Sequence, residues 1–125
     1  LPFGVTRRRR RMTRDVMRAY RAPFPTRKSR ESILAFPRHI PLGPGDAAYA
    51  RMARTDEGLA RLTQPVLILW GDRDPVFPAR VARKFRERLP NVKGEIHFPD
   101  ASHFLQEDKP SEIAAAIIKF VKDTP

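Results

Sequence analysis

The sequence predicts an α/β chain: parallel strands alternating with helices, preceded by a helical segment without strands. Three observations carry this. "VLILW" (66–70) is an unbroken apolar run, short enough for a strand covered on both faces. It is followed by a helix-period stretch at 78–89, an alternating run "GEIHF" at 94–98, and a second helix-period stretch at 110–121. That order, strand-loop-helix twice over, favours neighbouring parallel strands joined by right-handed crossovers. Residues 1–64, by contrast, are broken repeatedly by proline and show no strand signal.

The elements follow from local chemistry. "TRDVMRAY" (13–20) reads as a helix with Thr13 as N-cap, Asp15 in its first turn, and Val16, Met17 and Tyr20 on one face; Pro23 and Pro25 stop it. "SRESILAF" (29–36) reads as a second helix capped by Ser29, ending before Pro37. "GPGD" (43–46) is a turn from which Asp46 can cap a third helix, broken near Gly58. In the second half, Pro78 stands where a helix start tolerates it, and apolar residues at 81, 82, 85 and 89 keep helical period. The last helix should turn Ile113, Ile117, Phe120 and Val121 inward. The expected division is therefore a helical segment, 1–64, and a strand-bearing part, 65–125. Two strands alone do not make a stable sheet, so the second part reads as the edge of something larger.

Composition narrows the function. With 125 residues and 41% hydrophobic content the chain can bury one modest core. It has no cysteine, which excludes disulfides and thiolate metal sites and permits a reducing compartment. No apolar run approaches the ~20 residues that span a bilayer, and no apolar stretch follows the charges at the start, so a cytoplasmic protein is expected. The sequence does not begin with methionine, which suggests a fragment or an unusual start. The net charge of +11 invites a nucleic-acid reading, but residues 1–60 hold 14 Lys/Arg against 5 Asp/Glu, while residues 61–125 hold 11 against 9. The excess centres on Arg7 to Arg11 and is not interleaved with stacking aromatics, so no nucleic-acid partner is expected and the run reads as a solvated surface segment.

In an open parallel sheet, functional groups collect past the carboxyl ends of the strands. The first such end carries Asp72 and Asp74, the second Asp100, Ser102 and His103. One strand-helix-strand step separates them, so adjacent strands bring both loops to one rim. A carboxylate that accepts from one imidazole nitrogen fixes the tautomer and leaves the other nitrogen as a base. The residues alone leave a second reading open: Asp72 and Asp74 can equally shape a turn or cap the next helix. His97 lies on the alternating strand and reads as a packed or sheet-surface residue; His39, in a proline-bounded loop, reads as surface. Ser102 lacks the flanking glycines of a nucleophile elbow.

"PVLILWGDRDPVFP", followed by a helix, a strand and "DASHFLQEDKPSEIAAAIIKFV", resembles the last third of an α/β-hydrolase. "MTRDVMRAYRAPFPTRKSRESILAFPRHIPLGP" is similar to the cap segment of haloalkane dehalogenases, and "SHFLQEDKPSEI" is similar to the same group. The resemblance covers nearly the whole chain. It implies the C-terminal portion of an α/β-hydrolase fold preceded by a helical cap segment. It also implies Asp74, in the fourth place of Gly71-Asp72-Arg73-Asp74, as triad acid and His103 as base. Phe36, Pro37 and Ile40 of the cap, with Val76 and Phe104 beside the acid and base, would line an apolar pocket for a small uncharged substrate, a haloalkane or an epoxide, with water as second reactant. Neither cofactor nor metal is implied.

In such an enzyme an aspartate on an elbow displaces halide and forms an alkyl-enzyme ester, which a histidine-activated water then hydrolyses. This sequence departs from the pattern: it contains no G-x-D-x-G or G-x-S-x-G elbow. The full-length protein is therefore expected to be the enzyme, and this chain alone to be inactive. Epoxide hydrolases and esterases share the architecture and stand as alternatives, as does a non-catalytic truncated protein or a polyanion binder.

Overall fold

The computed structural model describes Thr6 and residues 12–124; the arginine run Arg7–Arg11 lies outside the described residues. The chain forms two compact units. One is Thr13–Leu59; the other holds Thr6, Met12 and residues 60–124. The sequence reading divides the chain after residue 64, whereas the compact units part after Leu59.

The first unit is helical. Helices α1 (Arg14–Arg21), α2 (Glu31–Arg38) and α3 (Tyr49–Leu59) follow one another, with a 3₁₀ turn at Lys28–Arg30 leading into α2. Thr13 caps α1 as expected, its Oγ1 accepting from Val16 N–H at 3.3 Å, and Asp15 in the first turn pairs with Arg18. Ser29 does not cap α2. It forms a reciprocal pair with Thr26: Thr26 N–H donates to Ser29 Oγ at 3.0 Å and Ser29 N–H to Thr26 Oγ1 at 3.1 Å. That is a capping-box exchange with serine in place of glutamate, three residues upstream of the expected cap.

Pro37 also departs from expectation. It lies inside α2. A proline there forfeits the bond to the Ile33 carbonyl, but the helix ends one residue later, so little else is lost. Asp46 turns back rather than forward: Oδ2 accepts from Leu42 and Gly43 N–H at 2.7 and 2.8 Å, closing the turn instead of capping α3.

The second unit carries strands β1 (Val66–Gly71) and β2 (Val92–Phe98), paired in parallel from Val66↔Val92 to Gly71↔Phe98, with a register shift after Val66. Helix α4 (Ala79–Arg88) makes the crossover between them. Short α5 (Leu105–Asp108), for which the sequence reading names no element, and α6 (Pro110–Asp123) follow. The described buried apolar residues are Met12, Ile68, Ala82, Leu89, Phe98 and Ala101. They come from the residue before the N-cap of α1, from β1, from α4 and its C-cap, from the end of β2 and from the loop after it. Ile113 and Phe120 of α6 are half-buried as expected; Ile117 and Val121 are exposed, at 46% and 65%. A two-stranded sheet offers α6 too narrow a surface to cover its whole apolar face. No described helix is long and apolar enough to cross a membrane.

Candidate active site

Two loops meet at the carboxyl end of the sheet. Gly71 ends β1, and its Cα faces the backbone of the second loop. A Cβ added there would stand 2.6 Å from Ser102 O and 2.9 Å from Ala101 O. Only glycine allows this approach. Backbone bonds then stitch the loops together. Asp72 N–H donates to Phe98 O at 3.1 Å and Arg73 N–H to Ala101 O at 2.9 Å. Arg73 Nε–H reaches Pro99 O at 3.2 Å, and Ser102 Oγ–H returns a bond to Arg73 O at 3.2 Å.

This frame presents Asp74 to His103. Asp74 Oδ2 lies 2.9 Å from His103 Nδ1. The carboxylate can only accept, so Nδ1 carries the proton and Nε2 is left free as a base. Asp74 Oδ1 accepts from Val76 and Phe77 N–H at 2.7 and 2.9 Å. The turn-shaping reading and the charge-partner reading are thus both true of Asp74, one oxygen for each. Its side chain is 9% exposed and that of His103 29%, so the carboxylate is buried and the imidazole remains reachable from solvent.

Asp72 has a different partner. His97 Nδ1 lies 2.5 Å from Asp72 Oδ1, and His97 Nε2 2.9 Å from Glu95 Oε1. Both ring nitrogens face carboxylates, and the hydrogen bond with Asp72, then that with Glu95, raises the His97 pKa above its ordinary value. His97 sits on the sheet surface, as its place on an alternating strand implies, but it is ion-paired there. The sequence reading does not foresee that pair.

Of the seven residues singled out from sequence, Asp74, Val76, His103 and Phe104 lie together in the strand-bearing unit. The Phe104 ring stands 5.8 Å from the His103 ring, and Val76 is bonded to the acid through its amide. Phe36, Pro37 and Ile40 belong to the helical unit. Phe36 and Ile40 are 75% and 51% exposed and line a groove of about 630 Å³ with His39, Pro41, Arg51 and Met52 among its other walls.

Two residues escaped sequence reasoning. Phe77 places its ring 5.5 Å from that of His103; the signal is its place directly after the acid turn, "DPVF". Asp108 is fully buried and bonds the backbone beside the base; nothing in the local pattern marks it beyond the proline two residues on.

A parallel strand pair whose carboxyl ends bring an aspartate and a histidine together is an arrangement of the α/β-hydrolase fold. The family model for the alpha/beta hydrolase fold matches residues 9–110, and the chain belongs to that family. Within it the chain is similar to two named kinds of protein. It is 37% identical over 98% of its length to a cis-3-alkyl-4-alkyloxetan-2-one decarboxylase of Xanthomonas campestris, covering 40% of that protein. It is 36% identical over 98% of its length to a haloalkane dehalogenase of Mesorhizobium japonicum, covering 39% of it. A crystal structure of a loop variant of the haloalkane dehalogenase from Bradyrhizobium elkanii superposes with a TM-score of 0.84 at 29% identity, over 96% of this chain and 39% of that one. The chain thus spans about two fifths of the length of these relatives. The fold class and the dehalogenase-like resemblance expected from sequence agree with these matches.

Proposed function

We propose that this chain supplies the acid and base of a capped α/β-hydrolase that cleaves carbon–halogen bonds hydrolytically, with its nucleophile on polypeptide outside these residues. The observation that carries the proposal is the 2.9 Å bond between Asp74 Oδ2 and His103 Nδ1. It fixes the tautomer, so that in the neutral ring the lone pair sits on Nε2 and faces away from the carboxylate, as a base for water requires. In the proposed reaction an aspartate nucleophile displaces halide from a small apolar haloalkane and becomes an alkyl ester. His103 then takes a proton from water, which attacks the ester carbonyl carbon and releases the alcohol. Asp74 holds the imidazole in one tautomer and stabilises it when protonated. The proposed substrate contacts are Val76 and Phe104 beside the pair and Phe36, Pro37 and Ile40 of the helical segment. An apolar wall suits an uncharged substrate. The chemistry needs no disulfide, and we assign it to the cytoplasm.

The absence of an elbow among these 125 residues, together with their coverage of two fifths of the relatives, supports the reading that they are inert alone. Exposed Leu42, Phe36 and Val121 support it too, as apolar surface that a longer chain could cover.

One observation favours a second reading. The Xanthomonas relative is as similar as the dehalogenases and is named for decarboxylating an oxetan-2-one. Bromide release from short bromoalkanes, run on this chain and on the longest product of its reading frame, decides between them. Bromide released by the long form and lost on His103→Ala supports the dehalogenase. Silence on halides, with carbon dioxide released from a dialkyl oxetan-2-one, an epoxide opened or an ester cleaved, replaces the substrate assignment.

A further inference from the structure

We propose that Asp108 is a positioning residue for the His103 imidazole, an inference that rests on reading His103 as the base. Asp108 closes α5, five residues after His103, and is 1% exposed. Its Oδ2 accepts from Ser102 N–H at 2.8 Å, and its Oδ1 accepts from Thr6 O–H at 2.5 Å. Ser102 directly precedes His103, so this carboxylate fixes the peptide from which the imidazole departs. Ser102 is itself 3% exposed, and its hydroxyl bonds the Arg73 carbonyl at 3.2 Å. Arg73 directly precedes Asp74. One path therefore runs from Asp108 through Ser102 and Arg73 to the acid, and it touches the residue before the base and the residue before the acid in turn.

Position decides in favour of a fixed geometry over bulk stability. Burying a carboxylate costs several kcal/mol in desolvation, and its hydrogen bonds return at best a comparable amount. What the carboxylate adds is a directed acceptor at one backbone N–H, next to the side chain whose aim matters.

The readout is the His103 Nδ1 proton, expected as a low-field resonance in the longest product of the reading frame and to be assigned by its loss in Asp74→Ala. Asp108→Asn keeps the volume and one acceptor. It should keep the far-UV circular dichroism and a cooperative melt while the exchange of that proton with water quickens about tenfold, the equivalent of one lost hydrogen bond. Thr6→Val, which removes one bond to Asp108 and leaves the carboxylate in place, should give a smaller increase. Asp100→Asn, in the same loop but paired with Lys109 at 2.7 Å, should leave the rate unchanged. An unchanged rate in both Asp108→Asn and Thr6→Val, with the fold intact, overturns the proposal, and so does a wild-type chain with no such resonance. No substrate enters the measurement, so a failed halide assay and a failed positioning role are told apart.

Discussion

His97 and Asp72 form an ion pair with Nδ1 2.5 Å from Oδ1, two residues upstream of the acid that holds the other histidine of the rim. The turn after β1 thus hands one histidine to each of its aspartates. Asp74 takes His103 from the loop beyond β2, and Asp72 takes His97 from β2 itself. The first pair is buried on its acid side and leaves a ring nitrogen free. The second is saturated, with carboxylates at both nitrogens. A saturated imidazole is a tether, and it ties β2 to the turn that carries the acid.

That tether should make stability depend on pH. The His97 pKa is raised by its hydrogen bonds to Asp72 and then Glu95. A folded-state pKa above the unfolded 6.5 means the pair stabilises fully below that value, and the contribution is lost as pH rises through the folded pKa. The side chain is 36% exposed, so solvent screening limits the gain to roughly 0.5 kcal/mol, or about 2 °C in Tm. Melts of wild type and His97→Gln at pH 5.5 and 8.5 should show the larger gap at the lower pH. Equal gaps would mean that the tether does not titrate.

Gly71→Ala should be far costlier than Gly94→Ala. At Gly71 the added Cβ meets backbone: Ser102 O at 2.6 Å and Ala101 O at 2.9 Å, neither of which can rotate away. At Gly94 it meets only Leu67 Cδ1, at 2.9 Å, the tip of a flexible side chain. We expect a loss of about 1–3 kcal/mol at Gly71 and under about 1 kcal/mol at Gly94 by urea titration. Comparable losses would show that the two strand-end loops do not need the close approach that Gly71 allows.

Asp74 allows its two roles to be separated. Asn keeps Oδ1 for the Val76 and Phe77 amides but turns an NH₂ toward His103 Nδ1, which must then accept and move its proton to Nε2. Ala removes both roles. Asp74→Ala should therefore destabilise by about 1–3 kcal/mol and Asp74→Asn by less than about 1 kcal/mol, while both reverse or abolish the histidine tautomer. Imidazole ¹⁵N shifts report the tautomer and chemical denaturation the stability. Asp74→Asn with the wild-type tautomer would disconnect the acid from the base.

Much of this arrangement is legible in the sequence because it rests on local signals. The apolar run Val66–Trp70 and the turn residues after it place β1 and the acid, and "DASH" after an alternating run places the base. What stays hidden depends on partners that no short pattern names. Asp108 works through a backbone amide and a threonine over a hundred residues away. Thr26 and Ser29 form their capping exchange three residues ahead of the cap that the pattern suggests, and Asp46 finds free amides behind it sooner than a helix ahead. His97 follows its strand period onto the sheet surface, yet the period says nothing of the two carboxylates waiting there.

The indole of Trp70 offers a last test, since it reaches the base through a neighbour. Trp70 Nε1–H donates to the Phe77 carbonyl at 3.1 Å, and the Phe77 ring stands 5.5 Å from that of His103. Trp70 also packs against Phe85, with ring centroids 6.2 Å apart. Trp70→Phe keeps much of that packing and deletes the donor. We expect a cost of about 1 kcal/mol and, because Phe77 is released, a change in the ring-proton shifts of His103 in the direction that Phe77→Leu produces. Unmoved His103 resonances in Trp70→Phe, alongside moved ones in Phe77→Leu, would show that Phe77 is held by its own turn and owes nothing to the indole.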